Sequence, residues 1–499
     1  MADDSASQRH YRAPCPGCGA PVEFRSAQSA FAVCPYCHST VVRQGETLAR
    51  IGKMAELFDD FSPLQLLASG RMRERSFTLV GRLQYAYPEG HWTEWIADFG
   101  DGGPGAILSE DNGAFVFTDP LALQRPAPPA ASLRVGATTA FDGRSYTVAS
   151  NEEVSLVAAE GELPRLPALG RPFAVVELRS DQGEVLSLSY DTDPPGAWLG
   201  RAVRLEDLQL TGLRDESARE DKGRSFNCPN CGAPVTVNLA DSKTVTCPSC
   251  RSIIDLSQGI GGELRHAEQD EPVRPLIPLG SSGRLQGVDW QVVGFQHRMG
   301  KTAGEDERFG WSEYLLYNRK RGFSFLVDAE DGWSMVAPTT GAPRMSESGA
   351  RASYLGQSFA LQYAYDAETS YVLGEFYWRV ERGQRTSNRD FANGAALLSM
   401  ERSASELTWS SGSRIDSATV AAAFKLDDRQ QMFKRADAAP LSVVPRLGCS
   451  TVILIVVVIV ILLVLLSTCS SGGGYGSGYG GSRSAGGSYG GFSSGGGHK

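Results

Sequence analysis

Short runs in which apolar and polar residues alternate, or in which β-branched residues gather, recur along most of the chain. Examples are SFTLVGRLQYAY from Ser76, FAVVELRS from Phe173, DWQVVGFQH from Asp289, SEYLLYN from Ser312 and FSFLVD from Phe323. The turn signals DNG, FDG and EDG fall between such runs. A period of two punctuated in this way predicts half-buried strands joined by tight turns. Helical periodicity is sparse. Leu48, Ile51, Ala55 and Phe58 share one face at helical spacing ahead of Ser62-Pro63, which predicts a short helix there, and Asp416 is placed to cap another running to Phe424. Three segments read as linkers that bury too little apolar surface to order: the Pro/Ala-rich Gln124–Ser132, the charged run Arg214–Arg224, and the mixed charge and proline of 262–278.

The pattern is written twice. Cys15, Cys18, Cys34 and Cys37 are matched by Cys228, Cys231, Cys247 and Cys250 at a constant offset of 213 (228 − 15). CPGCGAPVEF recurs as CPNCGAPVTV, and Ser69-Gly70-Arg71 as Ser282-Gly283-Arg284. After an insertion, Trp92-Thr93-Glu94-Trp95 recurs as Trp311-Ser312-Glu313-Tyr314. Each copy therefore divides into a ribbon (10–45 and 224–257) and two β-rich stretches (68–120 with 133–212, and 281–338 with 350–425). The expected fold is mainly β: two tandem copies of a zinc ribbon followed by barrel-like or sandwich-like domains.

Both cysteine sets read C-x2-C-x15-C-x2-C. Each CxxC turn places two thiolates on one side of a knuckle, and two knuckles together present four sulfurs at tetrahedral corners, the geometry zinc prefers. Two structural zinc ions are the expected cofactors, because four cysteines close the coordination shell. His38 beside Cys37 is a tempting fifth ligand, but Arg251 stands at its place in the second copy, so it reads as a neighbour. Paired thiols in a chain that opens MADDSASQRH, with no apolar leader behind it, point to a reducing compartment rather than to disulfides.

The C-terminal part changes the picture. Val452 to Leu466 is unbroken valine, isoleucine and leucine, within an uncharged interval from Leu447 to Gly481. The length is close to the roughly 20 residues that cross a bilayer, which predicts a single transmembrane helix at 449–468. Lys434, Arg435 and Arg446 precede it and only Arg483 follows nearby, so the positive-inside rule places the ribbons and β domains in the cytoplasm of a bacterium, at its inner membrane, with the tail outside. That tail, 470–499, is Gly/Ser-rich with spaced tyrosines, a composition that stays disordered. The formal net charge of −9 weighs against a general nucleic-acid binder, and the arginines near the ribbons are few.

No catalytic set is legible. Gly300-Lys301-Thr302 lacks the upstream glycine of a phosphate loop, since Phe295 stands there, and the residues after it read as a polar hairpin. The six histidines have no nucleophile or acid–base partners at recognisable spacing, and His91 corresponds to Gly310. Trp92-x-Glu94-Trp95 and its repeat are the one paired polar–aromatic signature, read as core aromatics or as a peptide- or lipid-facing groove. The ribbons, this strand, the duplication and the C-terminal GGGHK together resemble a bacterial family whose repeated β domain has no known function. The resemblance implies a β-rich domain attached to zinc ribbons and supplies neither activity nor site residues. The expectation is a non-enzymatic membrane-anchored adaptor whose partners are membrane or envelope proteins, with no small-molecule substrate identified. The alternatives are a nucleic-acid binder at the membrane, and an enzyme using a cleft between β modules; a deep pocket whose lining differs between the copies would favour the latter.

Overall fold

The computed structural model describes residues 11–435, apart from 27–28, 45–46, 54–61, 88–89, 112–113, 166–169, 215–223, 240–241, 257–265, 270–272, 304–305, 307, 320 and 404–405. The expected membrane span at 449–468 and the tail at 470–499 lie outside these residues. Among the described residues no helix is long and apolar enough to cross a membrane.

Each copy closes eight antiparallel strands into a barrel. In the first, Arg75–Tyr87, Gly90–Asp98, Ala106–Asp111 and Ala114–Pro120 pair in sequence. The last of these pairs with Gly196–Val203, and the sheet returns through Glu184–Ser189 and Phe173–Arg179 to the 20-residue strand Arg144–Leu163. That long strand closes the ring. Val148 and Asn151 to Val154 lie against Phe173–Arg179, and Ser155 to Gly161 lie against Arg75–Tyr87. The second copy repeats the circuit from Val288–Thr302 to the 20-residue strand Gln357–Phe376. The two β-rich stretches of a copy are thus not separate domains. Ala114–Pro120 and the long strand supply pairing edges that neither stretch can satisfy alone.

Alternate side chains of the same strands pack inside and outside the ring. Outside, Leu79, Trp95 and Leu108 lie under Leu64 and Leu208, while Tyr314 and Trp333 lie under Val420 and Phe433. The helix Ser417–Ala423 forms as expected. Asp416 accepts a hydrogen bond from the Thr419 N–H at 3.1 Å, satisfying one orphan donor of the first turn. Phe433 then stacks on Trp333 at 5.4 Å, and the Trp333 indole donates to its carbonyl at 2.9 Å.

Three expectations are corrected. Thr47–Lys53 is a strand, paired with Ser39–Gln44, so Leu48 and Ile51 do not begin a helix; the pairing edge outcompetes a weak periodicity. Ala55 and Phe58 lie outside the described residues. Gln124–Ser132 is not a free linker: Ala127 and Ala130 pack against the core, and the Asn151 amide donates to the Ala130 carbonyl at 2.7 Å. The end of 262–278 is also packed, with Ile277 fully buried.

The two halves of each ribbon attach differently. Tyr11–Pro14 with Pro21–Phe24 is a separate hairpin, whereas Phe31–Val33 pairs with Gly161–Leu163 and so extends the barrel sheet. Thr244–Thr246 does the same against the end of Gln357–Phe376. At these junctions Glu162 accepts backbone hydrogen bonds from Arg25 (2.6 Å) and Ser26 (2.8 Å). Glu375 accepts from the Asn238 and Leu239 N–H groups and from the Ser242 hydroxyl, all within 3.0 Å. Burial raises the pKa of Glu162 while these donors oppose it. Glu375→Ala leaves the buried Ser242 hydroxyl and the partly buried Asn238 and Leu239 N–H groups without their acceptor, a loss of about 3 kcal/mol. We expect it to lower the unfolding midpoint more than Glu162→Ala does, measured by thermal denaturation of the metal-loaded chain.

Candidate metal centres and barrel lumens

In each knuckle the first cysteine opens a turn and the residue after the second closes it. The Gly19 N–H donates to the Cys15 carbonyl at 2.8 Å and the His38 N–H to that of Cys34 at 3.0 Å; Gly232 and Arg251 repeat this on Cys228 and Cys247. All four closing residues have positive φ, at 76°, 54°, 75° and 63°. His38 and Arg251 therefore share a backbone role, closing a left-handed turn, and neither is needed as a ligand.

The eight cysteines come together as two clusters, with all sulfurs of a cluster within 4.8 Å of one another. Cys15–Cys37 and Cys18–Cys34 are both 3.7 Å apart, Cys228–Cys250 is 3.6 Å and Cys231–Cys247 is 3.7 Å. A tetrahedron of sulfurs about 2.3 Å from a central ion has edges of about 3.8 Å, whereas a disulfide bond is about 2.05 Å long. The spacing fits a metal ion, and all eight cysteines are unlinked thiols.

The electrostatics agree. The Ser39 hydroxyl and backbone N–H lower the Cys37 thiol to about 6. At Cys18 the Ala20 backbone works downward, but the neighbouring Cys37, burial and the other thiols push it up to about 12. In the second cluster burial opposes ionisation of Cys250, but hydrogen bonds from Ser252 bring it to about 6, while burial raises Cys228 to about 11. Four crowded thiols cannot all ionise unless a cation lies between them. Such a cation would be held by all four residues, leaving no open ligand position.

The paired tryptophan signature lies within the strands Gly90–Asp98 and Arg308–Asn318. The Trp92 indole donates to Glu94 at 3.3 Å and the Trp311 indole to Glu313 at 2.6 Å. All four residues are buried. In the second barrel the carboxylate belongs to a network in the lumen, where strands that are not neighbours in the ring meet. Arg298 donates to Thr386 at 2.6 Å and to Glu401 at 2.8 Å, and lies 3.8 Å from Glu313. Gln296 donates to Glu313 at 2.5 Å. Burial pushes Glu313 up to about 7 against the pull of Arg298, and Glu401 and Glu313 hold Arg298 charged despite its burial. Sequence reasoning missed this network because its members are scattered over four strands. The repeated Trp-x-Glu was its one visible trace.

Gly300-Lys301-Thr302 ends the strand Val288–Thr302 and enters a hairpin, not a phosphate loop. His91 lies where the copies meet: Lys243 Nζ, from the second ribbon, is 3.0 Å from its Nδ1. Burial, and then the Lys243 charge, lower His91 to about 4, so it stays neutral near pH 7. The Ala342 N–H also donates to the Ser180 carbonyl at 3.1 Å across this boundary.

These features define a duplicated antiparallel barrel protein in which each barrel is fused to a four-cysteine ribbon. The chain belongs to a family described as a domain of unknown function, DUF4178, whose model matches residues 68–204 and 278–417. The two matches cover the two barrels and leave out the ribbons. No curated protein and no solved structure matches the chain.

Cys228→Ser is expected to leave one metal ion per chain instead of two and to loosen the second ribbon, while His38→Gly keeps both ions. Elemental analysis of the purified protein checks this; two ions retained in Cys228→Ser contradict it.

Proposed function

We infer that the chain is a membrane-anchored cytoplasmic adaptor of the bacterial inner membrane, in which two structural zinc ions stiffen ribbons that present surfaces to other membrane or envelope proteins. Zinc is the ion best matched to four thiolates at these spacings. The apolar run Val452 to Leu466, with Lys434, Arg435 and Arg446 ahead of it, supports the anchor and its orientation.

The observation that carries the docking role is Tyr36. It stands at the tip of the second knuckle of the first ribbon, 69% exposed, between Phe31–Val33, which is hydrogen-bonded to the barrel sheet, and Ser39–Gln44, which pairs with that strand. A large aromatic held out on a rigid element, at low entropic cost, suits a protein contact. Three of the described arginines of this ribbon have partners within it. Arg12 and Arg25 both lie within 3.7 Å of Glu23, and the Arg43 guanidinium lies 4.3 Å from the centre of the Tyr11 ring. That leaves little for a phosphate backbone. The closed four-thiolate shells offer no position for substrate, which supports a non-enzymatic role for the metals.

Purification of the intact protein from crosslinked bacterial membranes, followed by mass spectrometry, tests the reading. A reproducible set of membrane or envelope proteins is expected. Tyr36→Ser should reduce their recovery several-fold without changing bound zinc. Recovery of nucleic acid with ribosomal or transcription proteins, or of the chain from the soluble fraction, contradicts it.

A further inference from the structure

The two barrels share a ring but not an interior. Register fixes the correspondence: Leu83 lies opposite Glu94 as Gln296 lies opposite Glu313, and Tyr85 opposite Trp92 as Arg298 opposite Trp311. The second lumen is filled. Phe323 and Tyr377 pack ring to ring at 4.3 Å, and Trp378 is fully buried against Phe325. In the first copy Phe323, Tyr377 and Trp378 are replaced by Gly105, Pro164 and Arg165. The space they would fill is a cavity of about 110 Å³, reaching from the ribbon turn at Ser26 and Ser29 into the barrel.

The walls of this cavity are chemically specific. Tyr85, Leu156 and Phe173 give an apolar and aromatic wall. Glu94 (8% exposed), Asp98 and Asp191 add three carboxylates against Arg165, the one cation among the described lining residues. Arg165 sits at the rim, paired with Asp191 at 2.8 Å and 5.6 Å from the centre of the Trp198 ring. The lining therefore carries an excess of negative charge in a partly enclosed site, where a complementary cation is favoured.

The second barrel shows what such a lumen accepts. There the guanidinium of Arg298 lies 5.5 Å from the Trp311 ring and within 3.8 Å of Glu313. Tyr85 takes its position in the first barrel, stacked on Trp92 at 5.0 Å, and no guanidinium enters from that strand. We propose that the first barrel binds a free small organic cation, a guanidinium or primary ammonium on a short apolar stem, with Glu94 as its counter-ion and the apolar wall around its stem. The volume sets what is enclosed: a cavity of about 150 Å³ takes a benzene-sized guest, so about 110 Å³ encloses the cationic head and the first carbons of the stem, and the rest of the stem lies in the partly open mouth. This is a binding function separate from docking by the ribbon. The lining differs between the copies, and the proposal assigns it binding rather than chemistry.

Calorimetric titration of the full-length, zinc-loaded protein in detergent with n-butylguanidinium tests the proposal, with neutral n-butylurea as the isosteric control. We expect one saturable site per chain and at least tenfold weaker binding of the urea. Glu94→Gln, which keeps an acceptor for the Trp92 indole, should weaken n-butylguanidinium at least tenfold, and Pro164→Tyr with Arg165→Trp, which copies the second barrel, should abolish its binding. Zinc content and the unfolding midpoint report whether each variant is folded. The comparison of the two ligands on the unaltered protein does not depend on the variants. Equal affinity for the urea, binding unchanged in both folded variants, or no saturable binding of n-butylguanidinium overturns the proposal.

Discussion

The architecture depends on one buried carboxylate per copy, at the end of the longest strand. Glu162 and Glu375 turn their oxygens onto backbone N–H groups of the ribbon loop, and so satisfy donors that no strand can reach. The residue before each is a glycine with φ of 75° or 91°. A Cβ there would lie 2.4 Å from the Val80 carbonyl oxygen in the first copy and 2.3 Å from that of Val293 in the second. Glycine lets the long strand cross its neighbour at close range, and the glutamate then fixes the ribbon to the crossing. Burying a carboxylate is costly unless it is well served by donors, and here the donors come from the element that must be held.

From that junction the rest follows as a division of labour between sheet and side chains. The ring of hydrogen-bonded strands is the same in both copies because backbone pairing tolerates most side chains. The lumen is where the copies diverge. In the second, Arg298, Glu313 and Glu401 form a buried ionic core surrounded by aromatic rings. In the first, Gly105 and Pro164 stand where the second has large aromatic rings, and they leave space. A duplicated scaffold can keep one copy as a filled structural unit while the other retains an opening, since stability is then supported by the contacts between them at Ser180, Ala342, His91 and Lys243.

Much of this was legible in the sequence. The CxxC spacing located all eight cysteines that the fold gathers, and their constant offset revealed the duplication. The Asp416 cap was visible because its signal is local. Closure of each β-rich pair into one barrel was not, because it rests on the long strands pairing with different partners along their length, which no short window contains. The segment after Gln124 looked too rich in proline and alanine to order, but its carbonyls are held by Asn151 from a distant strand. The Gly-Glu pairs at 161–162 and 374–375 were present at the common offset, and a search of the repeat for matched polar residues inside apolar runs would have found them.

The most direct test of the account is amide hydrogen exchange before and after metal chelation. If the ribbons are built into the barrels through these junctions, chelation will speed exchange at Phe31–Val33 and Thr244–Thr246 and at the adjoining strand ends, Gly161–Leu163 and the residues up to Phe376. Ala114–Pro120 and Gly332–Pro338, on the far side of each ring from the long strand, will remain protected. Faster exchange confined to the hairpins Tyr11–Phe24 and Arg224–Val237, with the strand ends unchanged, would contradict it and make the ribbons independent attachments.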